Sequence, residues 1–210
     1  MNTNTGRVHI SRTAARRPIA ALTSKTGNVN AFQRLFYFFI LFSFLGYIGE
    51  ISIFPFYYHH FKQWQGPLHG PWLTLYGFGG LALIVLLGQL RNRKIMLGRI
   101  NIMPVFVFIL GFFTVSVVEF VGSWILDVGF GVTLWDYSTE PFNIQGRICL
   151  VNSLAFAAVG TALLWFVVPL VQKHLANLTA RANKILFGVV FGAFALDIVY
   201  SFGIILLGRL

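Results

Sequence analysis

The stretch Ile102–Leu126 reads IMPVFVFILGFFTVSVVEFVGSWIL, and its one charged side chain is Glu119. A helix that crosses the hydrocarbon layer of a bilayer needs about 20 mostly apolar residues. Asn101 stands where it can cap such a helix, and Pro104 is tolerated in its first turn. The stretch therefore predicts a membrane-spanning helix.

Four further segments of the chain have the same length and character. They are Leu35–Tyr57, Pro71–Leu90, Ile148–Val171 and Ile185–Leu207. The whole chain is 57% hydrophobic and 10% charged, whereas about a quarter of the residues in soluble domains are charged. The sequence thus predicts an all-α integral membrane protein, a polytopic bundle of five transmembrane helices over residues 34–210. Residues 1–33 are predicted to be a basic cytoplasmic tail with little order.

The positive charges alternate along the chain. Six Lys and Arg residues precede the first span, and the five regions that follow hold one, four, one, three and one. Because cytoplasmic loops carry an excess of Lys and Arg, this alternation places the N-terminus in the cytoplasm and the C-terminus outside. The net charge of +10 is then explained by topology and by anionic inner-leaflet lipid, so we expect no nucleic-acid partner.

The two predicted outer loops are rich in Gly, Pro and aromatic residues. The first contains two Gly-Pro dipeptides, at Gly66 and Gly70, which predict a tight turn or a re-entrant segment. The other outer loop, which is the third loop of the chain, contains Trp135-Asp136-Tyr137 and, further on, Arg147. Its aromatic residues fit an interfacial belt equally well, but a belt does not explain the polar residues beside them.

Three acids lie inside predicted helices. Glu50 and Glu119 are each seven residues before the outer end of their span, and Asp197 is near the middle of the fifth. An ionisable group at that depth costs several kcal/mol unless it is paired, hydrated or neutralised. Two interpretations stay open: Glu50 and Glu119 line a cavity open to the outside, or they are buried carboxyls bonded to neighbours or paired with Arg147.

We predict one functional cluster and one loop motif from these residues. The cluster consists of Glu50, Glu119, Trp135, Asp136, Tyr137, Asn143 and Arg147; the loop motif consists of Gly66, Gly70, Pro71, Tyr76, Gly77 and Gly79. If the third loop folds over the cavity, Asp136 and Arg147 become partly desolvated, and we expect them to form an ion pair.

Other candidate sites are weaker. His59, His60 and His69 lack the spacing of metal ligands, so neither a metal nor a cofactor is predicted. A single cysteine, Cys149, excludes an intrachain disulfide. Gly188 and Gly192 form a Gly-x-x-x-Gly pattern that predicts a close-packing face within the bundle. No nucleotide-binding or hydrolase motif occurs, which favours a role other than that of an enzyme.

Three blocks of the sequence resemble a bacterial family of membrane proteins, the ABC-transporter type IV family. The blocks are Phe44-Leu45-Gly46-Tyr47-Ile48-Gly49-Glu50; Gly66, Gly70-Pro71 and Leu75-Tyr76-Gly77-Phe78-Gly79; and Glu119 followed by Trp135-Asp136-Tyr137-Ser138, Pro141-Phe142-Asn143 and Gly146-Arg147-Ile148-Cys149-Leu150. The chain departs from the family pattern at Gln65, Thr74 and Phe156-Ala157.

The resemblance implies a permease-like transport subunit with an outward-facing polar site, in the bacterial plasma membrane. Because this chain has no ATPase motif, an ATPase partner would be a separate subunit docked on the basic cytoplasmic loops. The alternative is a membrane enzyme or assembly factor that acts on a lipid-linked or cell-envelope substrate at the outer leaflet. The sequence names neither the substrate nor the oligomeric state.

Overall fold

The computed structural model describes residues 27–58 and 66–208, except for the side chains of 53–58 and 205–206. Five helices occur in these ranges: α1 Ala31–Tyr58, α2 Thr74–Leu87, α3 Met103–Phe130, α4 Leu150–Ala176 and α5 Ala180–Leu206. All but α2 are long and apolar enough to cross a membrane. The predicted helical class and the predicted number of helices are therefore confirmed.

The loop between α2 and α3 carries the one sheet in these ranges. After a 3-10 turn at Leu90–Asn92, β1 Met96–Leu97 pairs antiparallel with β2 Ile100–Asn101. The N-cap position of α3 is Ile102, one residue after the predicted Asn101. The Asn101 side-chain oxygen still accepts a hydrogen bond from the Met103 N–H at 3.2 Å. The predicted tail overlaps the structure only at its end, where Val29 is fully buried and α1 begins at Ala31. Residues 1–26 lie outside the described ranges.

Helix α2 is shorter than the predicted span Pro71–Leu90. It has 14 residues, or about 21 Å at 1.5 Å per residue, against a hydrocarbon layer of about 30 Å. Residues Trp72 and Leu73 stay non-helical after Gly70-Pro71, and the Leu73 N–H donates to the Ser43 carbonyl of α1 at 3.2 Å. The Gly-Pro pair therefore delays the start of the helix and ties it to α1.

Small residues let α1 and α2 approach closely. A Cβ on Gly46 would overlap the Tyr76 ring, one on Gly77 would overlap Ser43 and Phe39, and one on Gly80 would overlap Phe42. The contacts move toward the start of α1 as they move along α2, so the two helices run antiparallel. α2 also packs on α3, where Leu75 lies against Gly122 and Leu83 and Leu87 lie near Gly111.

Helix α5 runs parallel to α1. Near its start, the Asn183 side chain donates to the Asn28 carbonyl at 2.8 Å and to Gln33 at 2.9 Å, and accepts from the Tyr37 hydroxyl at 2.8 Å. Further along, Phe187, Phe191 and Phe194 pack edge-on against Phe36.

The close-packing face predicted at Gly188 and Gly192 is wrong for the described part of the chain. A Cβ at either position would meet nothing within 4 Å. The aromatic side chains of α5 make its contacts with α1, so the glycines are turned away from the bundle.

Helix α4 contains a π-helical segment at Leu163–Val167. Pro169 follows it and has no N–H to donate back to the Leu164 carbonyl five residues earlier. The Arg91 guanidinium donates to that carbonyl at 3.2 Å. A basic residue of the α2–α3 loop thus replaces the missing backbone donor.

These contacts give the bundle two chemically different ends. Residues 27–34, 88–102 and 172–184 gather at one end, where Asn28 bonds the Leu178 carbonyl at 3.0 Å; we call it the basic end. Residues 66–73 and 131–149 lie at the other, which we call the cavity end. The six acids of the chain lie in the half toward the cavity end or, for Asp197, in α5 beside loop residue Gly70.

Candidate functional site

A cavity of about 280 Å³ lies at the cavity end, above the first turn of α2. Because Tyr76 lies against Gly46, α1 continues for about 18 Å past that level to Tyr58, at 1.5 Å per residue. α3 likewise continues for two turns past Gly122, where Leu75 of α2 packs. The short helix therefore leaves a recess between two long ones, and the two outer loops cover it at Gly66-Pro67 and Leu134-Trp135.

The first polar pair in the cavity is Glu50 with Tyr76. Glu50 comes from α1 and Tyr76 from the first turn of α2, and the Tyr76 hydroxyl donates a hydrogen bond to Glu50 Oε1. The close approach of the two helices at Gly46 places the tyrosine ring against α1. The Glu50 carboxyl group lies within a membrane-spanning helix, and this bond gives it a hydrogen-bond donor from the protein itself.

The second polar pair is Glu119 with Tyr137. Glu119 lies on α3 with 4% of its surface exposed, and the Tyr137 side chain, from the third loop, lies close to its carboxyl group. Asn152 in the first turn of α4 lies close to the Tyr137 hydroxyl. Glu119 Oε2 is buried and has no hydrogen-bond partner among the described residues. One carboxylate oxygen in the cavity wall therefore stays unsatisfied.

The two pairs belong to one electrostatic environment. Glu50 and Glu119 both line the cavity. Burial raises the pKa of the Tyr137 phenol, and the nearby Glu119 carboxyl raises it further. Tyr137 therefore stays protonated at neutral pH, and its hydroxyl presents a hydrogen-bond donor beside Glu119.

Asp136 and Asn143 shape the loop that covers the cavity. Asp136 accepts from the Ser138 N–H at 2.9 Å and from the Ser138 hydroxyl at 3.1 Å. Asn143 donates to the Glu140 carbonyl at 2.8 Å and accepts from the Gly146 N–H at 3.1 Å. Such local bonds from Asp and Asn stabilise turns. These two residues hold Trp135 and Tyr137 in place and do not line the cavity themselves.

The predicted ion pair between Asp136 and Arg147 is wrong. Arg147 Nη2 lies 2.5 Å from Asp127 Oδ2, and Nη1 donates to the Ser123 hydroxyl at 3.1 Å. Ser123 and Asp127 are one turn apart near the end of α3, so they present a bidentate acceptor to the guanidinium. The Asp136 carboxylate accepts hydrogen bonds within its own turn instead. The fold, and not nearness in sequence, decides which acid pairs with Arg147.

Two further contacts hold the third loop over the cavity. The Trp135 indole N–H donates to the Arg147 carbonyl at 2.9 Å, and the Tyr137 N–H donates to the Gly146 carbonyl at 2.7 Å. Through Arg147, the loop is then attached to α3. The same loop positions one cavity-lining ring on each side of Asp136.

The first outer loop is hydrogen-bonded to α5. Asp197 Oδ2 accepts from the Gly70 N–H at 3.0 Å, and the Ser201 hydroxyl donates to Asp197 Oδ1 at 3.2 Å and lies 2.8 Å from His69 Nδ1. A Cβ on Gly70 would overlap Trp72. Asp197 thus has a structural role, and Gly70-Pro71 sets the entry to α2.

The structure divides the predicted site residues into two groups. Six line the cavity: Glu50, Gly66, Tyr76, Glu119, Trp135 and Tyr137. The other seven lie around the cavity without lining it. They are Gly70 and Pro71 in the first outer loop, Gly77 and Gly79 against α1 and α3, and Asp136, Asn143 and Arg147 in the third loop.

Sequence reasoning missed Ser123, Asp127, Asn152 and Phe156. The spacing of Ser123 and Asp127 on one helix face was a signal that could have indicated a binding place for Arg147. Of the histidines considered and rejected as metal ligands, His59 and His60 lie outside the described residues. Within those residues, no three His, Cys, Asp or Glu side chains are grouped as metal ligands.

Comparison with known proteins identifies the family. The family described as "Putative ABC-transporter type IV" matches residues 36–202. The chain belongs to this family. The match includes at least part of each of the five helices, so the predicted resemblance is confirmed and extends into α5. Neither a curated protein nor a solved structure gives a match.

The family match and the fold together indicate a multi-pass membrane protein. Four helices are long and apolar enough to span a bilayer, and the matched region contains both carboxyl–tyrosine pairs and the loop that covers them. The cavity is therefore built from the part of the chain that the type IV family shares.

Proposed function

We propose that this type IV protein is the permease-like membrane subunit of a transport system in the bacterial plasma membrane, with its cavity as an outward-facing solute site. The observation that supports this most is the pair of carboxyl groups, Glu50 and Glu119, in one cavity among membrane-spanning helices. Carboxyl groups at membrane depth mark substrate and ion pathways more often than structural positions.

The charge distribution supports the orientation. The loops 88–102 and 172–184 carry most of the basic residues that the structure describes, and they lie at the end opposite the cavity. Because basic loops stay in the cytoplasm, the cavity faces the exterior. A separate ATPase subunit would then contact the basic end, away from the solute.

The test is a purification of the tagged full chain from native membranes in mild detergent. We expect an ATP-hydrolysing subunit to co-purify in a fixed ratio, and a transported solute to stimulate its ATPase activity. Glu50→Gln and Glu119→Gln keep size and hydrogen bonding but remove the charge, so they should abolish the stimulation while membrane yield stays normal.

Glu140→Gln is the matched control, since Glu140 lies in the same outer loop region but does not line the cavity. Absence of any ATPase subunit, or normal stimulation in both glutamine variants, would reject the proposal. If a deletion strain instead accumulates an altered envelope lipid, the alternative of an outer-leaflet enzyme or assembly factor gains support.

A further inference from the structure

The hairpin between α2 and α3 has one face made of apolar side chains. Leu97 of β1 pairs directly with Ile100 of β2. The Ile102 N–H donates to the Ile95 carbonyl at 2.8 Å, which continues the pairing by one position. Side chains two residues apart on a strand, or directly opposite each other across two strands, lie on the same face. One face of the hairpin therefore consists of Ile95, Leu97, Ile100 and Ile102.

This apolar face is open to the surroundings of the protein. Leu97 and Ile100 are each 70% exposed, and Ile95 is 42% exposed. At the turn between the strands, a Cβ on Gly98 would meet nothing within 4 Å. An isolated two-stranded hairpin is marginally stable in water unless its apolar face packs on another surface. Because the described residues leave this face exposed, we expect something else to cover it.

The hairpin lies at the depth where the helices leave the apolar layer. Gly111 of α3 lies beside Thr161 of α4. Toward the basic end, α3 begins at Met103, about 12 Å from Gly111, and the first charged residue of α4, Lys173, lies about 18 Å from Thr161. The hairpin directly precedes Met103, so it lies within about 6 Å of the level of Lys173. Basic residues at the end of a membrane-spanning helix mark the headgroup region.

The start of α3 exposes apolar surface at the same depth. Val105 and Phe106, in its first turn, are 57% and 46% exposed. Apolar side chains on the outside of a membrane-spanning bundle contact lipid. The hairpin therefore adjoins a part of the protein that lipid already surrounds.

Basic side chains accompany the apolar face. Arg93, Lys94 and Arg99 are exposed, and residues 88–102 include no acid. Apolar side chains with Lys and Arg beside them are typical of elements that lie in the interface of an anionic membrane. A partner protein would need an apolar patch with acids around it, whereas anionic phospholipid offers acyl chains and phosphate groups together at this depth. The hairpin thus fits lipid better than protein.

We propose that residues 93–102 form an interfacial element that binds anionic phospholipid in the leaflet at the basic end. The apolar face lies between the upper parts of the acyl chains, and the basic side chains contact the phosphate groups. This binding is independent of which solute the cavity takes and of whether an ATPase subunit exists. It therefore does not rest on the proposed function.

The first experiment measures where the hairpin lies. Leu97→Cys and the control Asn177→Cys are made in the full chain with Cys149→Ala, labelled with a fluorophore, and placed in nanodiscs of phosphatidylcholine and phosphatidylglycerol. Asn177 is exposed in the connection after α4, about 10 Å beyond the level of Met103. A lipid with a nitroxide high on its acyl chain should quench the label at position 97 at least about twofold more than the label at 177, because interfacial apolar faces lie about 5–10 Å deep.

The second experiment measures the preference for anionic lipid. The nitroxide is carried by phosphatidylglycerol or by phosphatidylcholine at the same mole fraction, and quenching at position 97 gives the relative affinity. We expect phosphatidylglycerol to be preferred by about fivefold or more. A rise in salt concentration of about tenfold should remove most of that preference, since the contacts are exposed to solvent.

Charge variants assign the preference to the hairpin. The triple variant Arg93→Gln, Lys94→Gln and Arg99→Gln should lose the preference for phosphatidylglycerol. The control variant Arg181→Gln with Lys184→Gln changes two exposed basic residues of α5 and should keep it. If the triple variant or Leu97→Cys lowers the yield of folded protein, the salt dependence and a label at Ile100→Cys provide the same tests.

Three results would overturn the proposal: equal quenching at positions 97 and 177, equal affinity for the two lipids, or a preference that the triple variant retains. A label at position 97 that is shielded from a water-soluble quencher and is also not quenched by lipid would show that protein covers the face. Residues 1–26 or a partner chain would then be the occupant, and the lipid assignment would be wrong.

Discussion

At the scale of single residues, the ion pair between Arg147 and Asp127 decides how the covering loop is attached. The Arg147 side chain is 16% exposed and that of Asp127 is 41% exposed, so water screens the pair in part. The hydrogen bonds of Asp136 go to Ser138 in its own turn and not to Arg147. The two acids near Arg147 therefore have separate functions.

A double-mutant cycle tests this separation. We expect Arg147→Gln and Asp127→Asn to be less than additive, with a coupling of about 1 kcal/mol. Arg147→Gln and Asp136→Asn should be additive within about 0.5 kcal/mol. Thermal unfolding of the purified variants measures both. If Arg147 instead couples only to Asp136, the loop is not attached to α3 through the pair of Arg147 with Asp127.

Cys149 provides a second test of the covering loop. Its thiol is 2% exposed, and burial raises its pKa. Because the thiolate is the reactive form, we expect maleimide labelling of the native protein at neutral pH to be roughly tenfold slower, or more, than after denaturation. Arg147→Gln should speed the native reaction by loosening the loop. Rapid labelling of the native wild type would mean that the loop does not cover this position.

At the scale of elements, the contact between α1 and α2 depends on glycine. Gly77 faces Ser43 and Phe39 with no room for a Cβ. Extra volume in a tightly packed interface costs about 1–3 kcal/mol. That interface also holds Tyr76 beside Glu50, so its geometry and the geometry of the cavity are linked.

Gly77→Ala and Gly188→Ala form a matched pair of variants. We expect Gly77→Ala to destabilise the protein by about 1–3 kcal/mol. Gly188→Ala should be neutral or stabilising by up to about 1 kcal/mol, because its Cβ meets open space in the structure and alanine favours helix. Melting temperatures in detergent provide the comparison. A larger loss at Gly188 would indicate that this face packs on a second copy of the chain.

The sequence predicts elements of this kind well because the bilayer imposes a length and an apolar composition on them. Glu50 and Glu119 stand out for the same reason, as charges in otherwise apolar stretches. Hydropathy does not predict that Gly70-Pro71 shortens α2, nor which tyrosine meets which glutamate, since both depend on helix packing. Nearness in sequence predicts a pair between Arg147 and Asp136, but Asp127 lies on the helix that the loop folds against and binds the guanidinium instead.

At the scale of the whole molecule, the bundle separates its charges. The basic end and the cavity end are held apart by apolar helices, and the contacts of α5 with α1 keep both helices parallel. The start of α1 and the end of α5 therefore lie at opposite ends of the bundle. The topology proposed from the positive charges also places the two termini on opposite sides of the membrane.

Reporter fusions test the topology directly. Fusions in residues 91–101 and 172–184 should report the cytoplasm, and fusions in residues 60–68 and 128–145 should report the exterior. Reversing the charge of Arg93 and Lys94 together should weaken the preference for this orientation and leave the helices unchanged. A cytoplasmic signal from 128–145 would put the cavity on the inner face and contradict the proposed orientation.

The shortness of α2 also sets how far the cavity lies from the end of α1. Two turns of α1 follow Glu50 before the helix ends at Tyr58, which is about 12 Å of helix against a hydrocarbon layer of about 30 Å. Moving a charge across the whole layer is worth ~2.3 kcal/mol per 100 mV, so in the proposed orientation, with α1 ending at the outer surface, a charge beside Glu50 would feel ~0.9 kcal/mol per 100 mV. The membrane voltage would then act on any charged ligand in the recess, and de-energised cells would bind such a ligand with a different affinity.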